Sequence, residues 1–270
     1  MKIITFQGGL GNQMFQYKFY IWLKNNVSTK IYGYYPVKGL SGHNGLEIEK
    51  CLTNVVLPKT NLMIVGLVKI IKFLNLIGFK YISNTSTFSL NKILFEDYWQ
   101  DLNYLGTFSF EFDTSRKNHK KKNIEIINKI KTTNSVSLHV RRGDYINDKY
   151  SHIYGGICDV NYYNRAIEYI FSKIDNPVFF VFSDDCEWVK NNISIPNATF
   201  VEWNLNENSY IDMFMMNQCK HNIIANSTFS WWGAYNRTNP ENSIVISPIK
   251  WFASNSFAEP LIFPKKWIRI

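Results

Sequence analysis

The stretch "VSLHVRRGDY", residues 136–145, decides the fold class, because an alternating apolar run ends there in two arginines and an aspartate. Alternation over residues 136–140 predicts a β-strand with one face toward a core. Guanidinium groups are costly to leave unpaired near a packed interior. The stretch therefore predicts a core strand whose carboxyl end meets either an anionic ligand or carboxylates of the same chain.

The sequence after this strand alternates between strand and helix patterns. Apolar runs typical of buried strands occur at "PVFFVF", "ATFVEW", "HNIIA" and "SIVIS". Helical periodicity lies between them, with Asp159 as the N-cap of one helix. This alternation predicts an α/β protein with a parallel, doubly wound sheet. The N-terminus opens in the same way, since the strand "KIITF" is followed by the loop "QGGLGN" and an amphipathic helix.

Unusual polar residues follow four of the predicted strands, in "HVRRGDY", "FSDD", "IANSTFSWW" and "ISP". Open α/β sheets bind their ligands at the carboxyl ends of the strands. The four segments are therefore expected to meet at one edge of one domain and to form the functional site.

Composition and charge narrow the classes of function. Basic residues outnumber acidic ones by 30 to 21, and a formal charge of +9 is consistent with nucleic acid, an anionic membrane surface or a phosphorylated substrate. Part of the excess lies in "RKNHKKK", residues 116–122, which we interpret as a solvated inter-domain loop. The four cysteines form no ligand cluster with the five histidines, so we expect no metal site. The first residues lack a signal-peptide pattern, and we expect a cytoplasmic protein.

The segment "LMIVGLVKIIKFLNLIGF", residues 62–79, approaches the length of a membrane span. Lys69, Lys72 and Asn75 interrupt it at helical spacing, which favours an amphipathic helix. Two interpretations stay open. The helix packs on its own domain, or it is a basic surface helix that rests on the inner face of a membrane.

The arginine pair of "HVRRGDY" suits an anion with several oxygens. Two guanidinium groups bind phosphate oxygens in a bidentate manner, which lysines do with less geometric control. Asp144 is expected to orient one guanidinium by a salt bridge and to leave the other for a ligand. The alternative is a purely structural network of arginine and aspartate. His139 is either a structural histidine or a ligand contact.

Two further segments add candidate ligand groups. Asp184 and Asp185 of "FSDD" are able to accept hydrogen bonds from a base or sugar, to act in acid–base chemistry, or to cap the following helix. "NSTFSWWG" places Asn226 and the hydroxyls of residues 227, 228 and 230 at a helix start, where free N–H groups attract anions.

The sequence lacks the standard nucleotide-binding fingerprints. "QGGLGN" supplies G-x-G, but Met14 occupies the third glycine position of the dinucleotide motif, and no Walker A lysine is present. A site with two arginines and a helix terminus, and without a metal cluster, suits a reaction in which a diphosphate is the leaving group. The guanidinium groups neutralise the negative charge that develops on the diphosphate.

Taken together, these motifs resemble glycosyltransferase family 11, the bacterial α-1,2-fucosyltransferases and their relatives. The resemblance is carried, in order, by "GGLGNQMFQY", "HNGLEIEKC", "DYWQD", "HVRRGDY", "FSDD" and "CKHNIIANSTFSWWGAY". It implies a GT-B-like fold of two Rossmann-type domains facing a cleft, with residues 1–125 on the acceptor side and residues 126–270 binding the donor. It implies GDP-β-L-fucose as the donor substrate, inversion at the anomeric carbon and no required metal or other cofactor.

The resemblance also implies roles for particular residues. Arg141 contacts the donor pyrophosphate, supported by Arg142 and Asp144. The remaining donor-side residues are His139, Asp184, Asp185, Asn226, Ser227, Thr228, Phe229, Ser230, Gly9, Gly11 and Asn12. The acceptor-side residues are Gln13, His43, Asn44, Trp99 and Gln100. Lys18 departs from the family pattern, which commonly has a small residue there.

The expected reaction is displacement of GDP from fucose by the 2-OH of a terminal galactose, through a loose, oxocarbenium-like transition state. Asp144, Asp148 and His43 are the candidates for the base. The acceptor is a galactose-terminated oligosaccharide or a lipid-linked glycan of surface-glycan synthesis, with peripheral membrane contact as an option. Another GDP-sugar donor is an alternative. A nucleic-acid-binding protein is disfavoured, because no nucleic-acid motif occurs.

Overall fold

The computed structural model describes residues 1–115, 120–236 and 242–270. The chain forms two compact units, Met1–Asp113 and Thr114–Ile270. The sequence placed the boundary after residue 125, but a helix over Lys120–Thr132 spans that point and packs against elements of the second unit. The start of the basic run, residues 116–119, lies outside the described residues. Its last three lysines are the first residues of the helix, so the predicted loop is wrong for them.

The first unit contains a parallel sheet with the strand order β2-β1-β4-β3 in its described residues. Its elements are, in chain order, β1 (Lys2–Thr5), α1 (Leu10–Asn26), β2 (Ile31–Tyr34), α2 (Val37–Leu40), α3 (Ile48–Cys51), α4 (Leu62–Leu76), β3 (Ile82–Ser83), β4 (Leu94–Phe95) and a 3-10 turn at Leu102–Tyr104. The predicted opening of strand, glycine-rich loop and helix is confirmed.

The second unit contains a parallel sheet with the strand order β10-β9-β8-β5-β6-β7. Its strands are β5 (Asn134–Val140), β6 (Pro177–Ser183), β7 (Ala198–Val201), β8 (His221–Ile223), β9 (Val245–Ser247) and β10 (Ile268–Arg269). Its helices are α5 (Lys120–Thr132), α6 (Ser151–Tyr154), α7 (Val160–Phe171), α8 (Cys186–Asn192), α9 (Tyr210–Gln218) and α10 (Thr228–Tyr235), and 3-10 turns lie at Gly143–Ile146 and Asn206–Asn208. The predicted doubly wound, parallel α/β sheet is confirmed.

The core of the second unit lies on the central strands β5 and β6. Val136, Leu138, Phe179 and Val181 are fully buried against the apolar side of α7. Both faces of these strands are buried, because helices cover a parallel sheet from both sides. The second face of β6 is apolar, whereas that of β5 carries Ser135, Ser137 and His139. The N-cap prediction for α7 is confirmed, since the Asp159 carboxylate accepts a hydrogen bond from the Tyr162 N–H at 2.7 Å. This packing sets the carboxyl ends of β5, β6 and β8 next to one another.

Helix α4 packs on the sheet of the first unit. Ile64, Val68 and Ile71 are buried together with Ile3 and Leu94. One side of the helix is therefore packed on its own domain, as the first interpretation of residues 62–79 predicts, and the opposite side is exposed. In the described part of the chain, no helix is both long and apolar enough to cross a membrane.

Candidate active site

The Arg141 guanidinium lies at the carboxyl end of β5 between two carboxylates. Its Nε and Nη2 donate to Asp144 Oδ1 at 3.0 and 2.8 Å, and its Nη1 lies 3.0 Å from Asp184 Oδ2. Burial opposes the charge, but Asp184 and Asp144 outweigh it and raise the pKa of Arg141. These contacts engage three of the five guanidinium N–H groups. The side chain is 32% exposed, so N–H groups on both terminal nitrogens are available to a ligand.

Arg142 is held in a different way. Its Nε donates to Asp185 Oδ2 at 3.0 Å, and its guanidinium carbon lies 3.8 Å from the centre of the Trp188 ring. The hydrogen bonds that Asp185 accepts from Arg142 and from the Trp188 N–H lower the pKa of the Asp185 carboxyl group. The predicted salt bridge of Asp144 to one guanidinium is present at Arg141, and the other guanidinium, that of Arg142, is also paired with a carboxylate, Asp185.

The two aspartates of "FSDD" organise this network. Asp184 Oδ1 accepts from the Arg142 backbone N–H at 2.9 Å, and Asp185 Oδ1 accepts from the Trp188 N–H at 3.1 Å as the N-cap of α8. Each of their four carboxylate oxygens therefore already accepts one hydrogen bond or ion pair. Asp148 lies in the loop after β5, which also carries Arg141 and Arg142, and is exposed to solvent.

Gly143 makes the close approach of Asp184 possible. A Cβ atom at this position would lie 2.6 Å from Asp184 Oδ2, well inside van der Waals contact. The backbone at Gly143 has a φ that other residues adopt freely, so the constraint comes from space. The glycine of "RRGD" therefore lets a carboxylate reach Arg141.

His139 is buried beneath the arginines. Tyr163 donates its hydroxyl hydrogen to the His139 carbonyl at 3.1 Å, and the imidazole lies 5.7 Å from the Phe229 ring. The imidazole Nδ1 is buried and lacks a hydrogen-bond partner among the described residues. Burial, reinforced by Arg141, lowers the pKa of His139 to about 3, so the ring is neutral at physiological pH. An unpartnered buried nitrogen is a group that a ligand is able to satisfy.

Asn226 joins the loops at the end of the sheet. Its side-chain Nδ2 donates to the backbone carbonyls of Tyr154 and Trp251, both at 3.1 Å. Its backbone carbonyl accepts from the Tyr145 hydroxyl at 3.0 Å. The residue is 2% exposed, so it positions the loops after β5, β8 and β9 and does not present its amide to solvent.

The N-terminus of α10 follows Asn226. Ser227 is the N-cap, and its Oγ accepts from the Phe229 N–H at 3.3 Å. Ser230 is fully buried and donates to backbone carbonyls, so its hydroxyl does not face a ligand. Thr228 and Phe229 are half-buried. Thr228 and Phe229 are therefore the residues of this terminus that are partly accessible.

The glycine-rich loop of the first unit brings most of the predicted acceptor-side residues together. Gly8 has a φ of +77°, and a Cβ on Gly9 would touch the exposed His43 ring at 3.3 Å. Gln100 donates to Asn12 Oδ1 at 3.0 Å. Asn44 is exposed and donates to Glu47 at 3.0 Å. These groups line the carboxyl end of β1, where an α/β unit presents its ligand contacts.

Three predicted residues of this unit are structural. The Gln13 side chain is buried, donates to the carbonyls of Gly8 and Gly45, and accepts from the backbone N–H groups of residues 47 and 48. Trp99 is fully buried and stacks on Phe19 at 3.7 Å, so the predicted contact of its ring with an acceptor is wrong. Gly11 is buried within α1.

Two site residues escaped the sequence analysis. Trp188 stacks on Arg142, and Tyr145 stacks on Tyr154 at 4.8 Å while bonding to the Asn226 carbonyl. Tyr145 ends the motif "HVRRGDY", which was a usable signal. No sequence signal marks Trp188, because its cation–π contact joins residues 46 positions apart and depends on the tertiary fold. Among the described residues, no three His, Cys, Asp or Glu side chains are grouped to hold a metal ion.

Solved structures identify the class of fold. NodZ, a fucosyltransferase from Bradyrhizobium, superposes with a TM-score of 0.51 at 7% identity over 87% of this chain and 93% of its own. The NodZ α-1,6-fucosyltransferase soaked with GDP-fucose gives 0.54 at 9% identity over 87% and 92%. The fold is α/β of the GT-B type. The predicted fold class is thus confirmed.

The family follows from sequence comparison. The model described as Glycosyl transferase family 11 matches residues 1–270, and the chain belongs to this family. An alpha-1,2-colitosyltransferase of Escherichia coli is 36% identical over 97% of this chain and 96% of its own length. The O-antigen biosynthesis glycosyltransferase WbnK of Escherichia coli is 48% identical over 46% of this chain and 41% of its own. The family assignment made from the motifs is confirmed, and the protein is a glycosyltransferase.

Proposed function

We propose that this glycosyltransferase moves L-fucose from GDP-β-L-fucose to the 2-OH of a terminal galactoside, with inversion, in the synthesis of a surface glycan. The proposal is supported by family membership over the whole chain and by relatives named for α-1,2 transfer of fucose or colitose. The relative named for O-antigen biosynthesis supports the surface-glycan setting.

The observation that carries the proposal is the geometry of Arg141. Its guanidinium is held by Asp144 and Asp184 at the end of a central strand, with N–H groups on both terminal nitrogens available to a ligand. A preorganised guanidinium stabilises a charge that grows in the transition state without the need to reorganise. It is therefore suited to the diphosphate that leaves the sugar.

In the proposed reaction, the bond between the anomeric carbon and the diphosphate oxygen breaks, and the acceptor oxygen forms a bond to the opposite face of that carbon. The electron pair of the broken bond goes to the diphosphate, which Arg141 and the first N–H groups of α10 stabilise. The acceptor hydroxyl proton goes to a base, for which Asp144, Asp148 and His43 remain the candidates. The chain itself supplies the charge compensation in this proposal, so no metal is required.

Asp184 and Asp185 have a positioning role in this scheme. Their oxygens already accept bonds from the arginines and the loop backbone, so they hold Arg141 and Arg142 for the diphosphate. The neutral His139, with its unpartnered Nδ1, is the better candidate for a contact near the guanosine.

Transfer of a different sugar is the second candidate. The relative that matches 97% of this chain is named for colitose, and Arg141 is suited to the diphosphate and not to a particular sugar. A donor carrying colitose on the same diphosphate therefore fits the same site.

Calorimetric titration of GDP, UDP and ADP in the presence of EDTA tests the donor site. Wild type is expected to bind GDP selectively, Arg141→Ala to lose binding, and Arg141→Lys to recover it only in part, because lysine lacks the planar fork. Product analysis with a β-galactoside and the fucose or colitose donor then identifies the sugar and linkage. Equal or absent binding of the three nucleotides by wild type would refute the proposed donor, and transfer only from colitose would replace fucose.

A further inference from the structure

Helix α4 and the turn after it expose a continuous apolar surface. We call it the α4 apolar face, and its members are between 52% and 90% exposed: Leu62, Met63, Ile70, Phe73, Leu76, Ile77 and Phe79. Scattered exposed apolar residues are normal on a protein surface, but a clustered set of seven marks an interaction site. Lys69, Lys72 and Asn75 interrupt the segment at helical spacing, but most of the large side chains on the solvent side are apolar.

The opposite side of the helix holds this face in place. Ile64, Val68 and Ile71 are buried against the sheet of the first unit. The helix start is fixed by Asn61, whose Oδ1 accepts from the Ile64 N–H at 2.9 Å. Residues of the α4 apolar face point away from these anchors, so their substitution leaves the core contacts intact.

The charges around the face point to an anionic partner. Residues 57–80 contain four lysines and no aspartate or glutamate. Lys72 pairs with Glu96 at 2.5 Å, whereas Lys69 is exposed and takes part in no ion pair among the described residues. Lys69 lies one helical turn before Phe73, inside the apolar stripe. An ammonium among apolar side chains matches a surface that offers phosphates above hydrocarbon.

A second copy of the chain fits this face less well. A symmetric dimer places the same patch of each copy against the other. Lys69 would then meet a lysine-bearing patch in which residues 57–80 supply no carboxylate and the nearby Glu96 is already paired with Lys72. A bilayer with anionic headgroups satisfies both the apolar and the cationic part of the surface.

We propose that the α4 apolar face docks this protein on an anionic phospholipid bilayer, with α4 lying in the plane of the membrane interface. Phe73 and its apolar neighbours enter the acyl boundary, and Lys69 contacts lipid phosphates. The proposal does not depend on the identity of the donor sugar.

Sedimentation with phospholipid vesicles tests the proposal. Wild type is expected to pellet with vesicles of phosphatidylglycerol and phosphatidylethanolamine and to be released by salt. Ile70→Glu/Phe73→Glu is expected to lower partitioning more than about tenfold, because burial of one such side chain is worth about 1.5–3 kcal/mol. Lys69→Gln is expected to lower it about fivefold on anionic vesicles and to have no effect on phosphatidylcholine vesicles.

The matched control is Leu205→Glu, which makes the same kind of change at a 63% exposed leucine of the second unit. It is expected to bind vesicles like wild type, and all variants are expected to melt like wild type. Absence of wild-type binding at low salt, or equal loss in the control, would overturn the proposal. A dimer seen by light scattering that the double variant dissociates, without vesicle binding by wild type, would assign the face to self-association instead. If the double variant misfolds, the Lys69→Gln comparison between the two vesicle types decides.

Discussion

Gly143→Ala tests the arginine network from a residue that carries no charge. The new methyl group would lie 2.6 Å from Asp184 Oδ2, so this carboxylate has to move by several tenths of an ångström. The same oxygen makes the 3.0 Å ion pair with Arg141, and its partner oxygen accepts from the Arg142 N–H at 2.9 Å. The substitution therefore disturbs one side of the Arg141 clamp and leaves Asp144 in place.

The magnitude follows from the contacts at stake. A hydrogen bond to a charged group contributes about 1.5–3 kcal/mol. The side chains of Arg141 and Asp184 are 32% and 26% exposed, so solvent screening reduces the effect on stability to about 1 kcal/mol or less. Binding of GDP depends on the direction of the guanidinium, and its affinity is expected to fall about tenfold, which corresponds to about 1.4 kcal/mol.

Calorimetry of GDP binding measures this loss, and a double-mutant cycle with Asp184→Ala assigns its cause. If the clash with Asp184 is the cause, Gly143→Ala costs little in the Asp184→Ala background, because both changes remove the same interaction. Additive losses, or wild-type GDP affinity in the single Gly143→Ala variant, would refute the reasoning.

Three further predictions concern buried polar groups. Burial raises the pKa of Asp212 to about 8, although Asn204 donates a hydrogen bond to it, so folding favours the protonated carboxyl group and the free energy of unfolding decreases as the pH rises from about 4 to about 8. Thermal melts of Asp212→Asn should lack this decrease, and the same pH dependence in both proteins would contradict the prediction. Burial lowers the pKa of Lys18 to about 8, and its ammonium donates to the Phe108 carbonyl. The melting temperature of wild type should therefore rise relative to that of Lys18→Met as the pH increases above about 8. Identical pH profiles of the two proteins would show that Lys18 is solvated. Asn226→Ala removes the donors to one buried and one partly buried carbonyl, so it should lower stability by about 1–3 kcal/mol and weaken GDP binding. Urea unfolding and calorimetry measure the two effects, and unchanged values for both would mean that the loops keep their positions without Asn226.

Much of the fold was predictable from local patterns. Strands β5 to β9, the N-cap of α7 and the opening of the first unit follow from alternation and capping, which depend on neighbouring residues alone. The two-residue strand β10 was not predicted. The middle of the first unit was not predictable, because its strands β3 and β4 have two residues each and are defined by their neighbours in the sheet: β4 pairs with β1, and β3 pairs with β4. Trp99 shows the same limit, since only the packing around Phe19 decides that its ring is buried.

The sequence alone predicts that arginines, aspartates and a helix start meet at one edge of a parallel sheet. Alternating strands and helices indicate parallel strands, and the carboxyl ends of parallel strands lie at the same edge. The tertiary structure alone decided how they pair: Arg141 with two carboxylates, Arg142 with Asp185 and Trp188, and Gly143 as the space between. It also decided that α4 and the turn after it expose seven apolar residues to solvent. The sequence pattern indicates which residues share one face of a strand or helix. The partners of each side chain and its exposure to solvent depend on contacts between residues far apart in the chain.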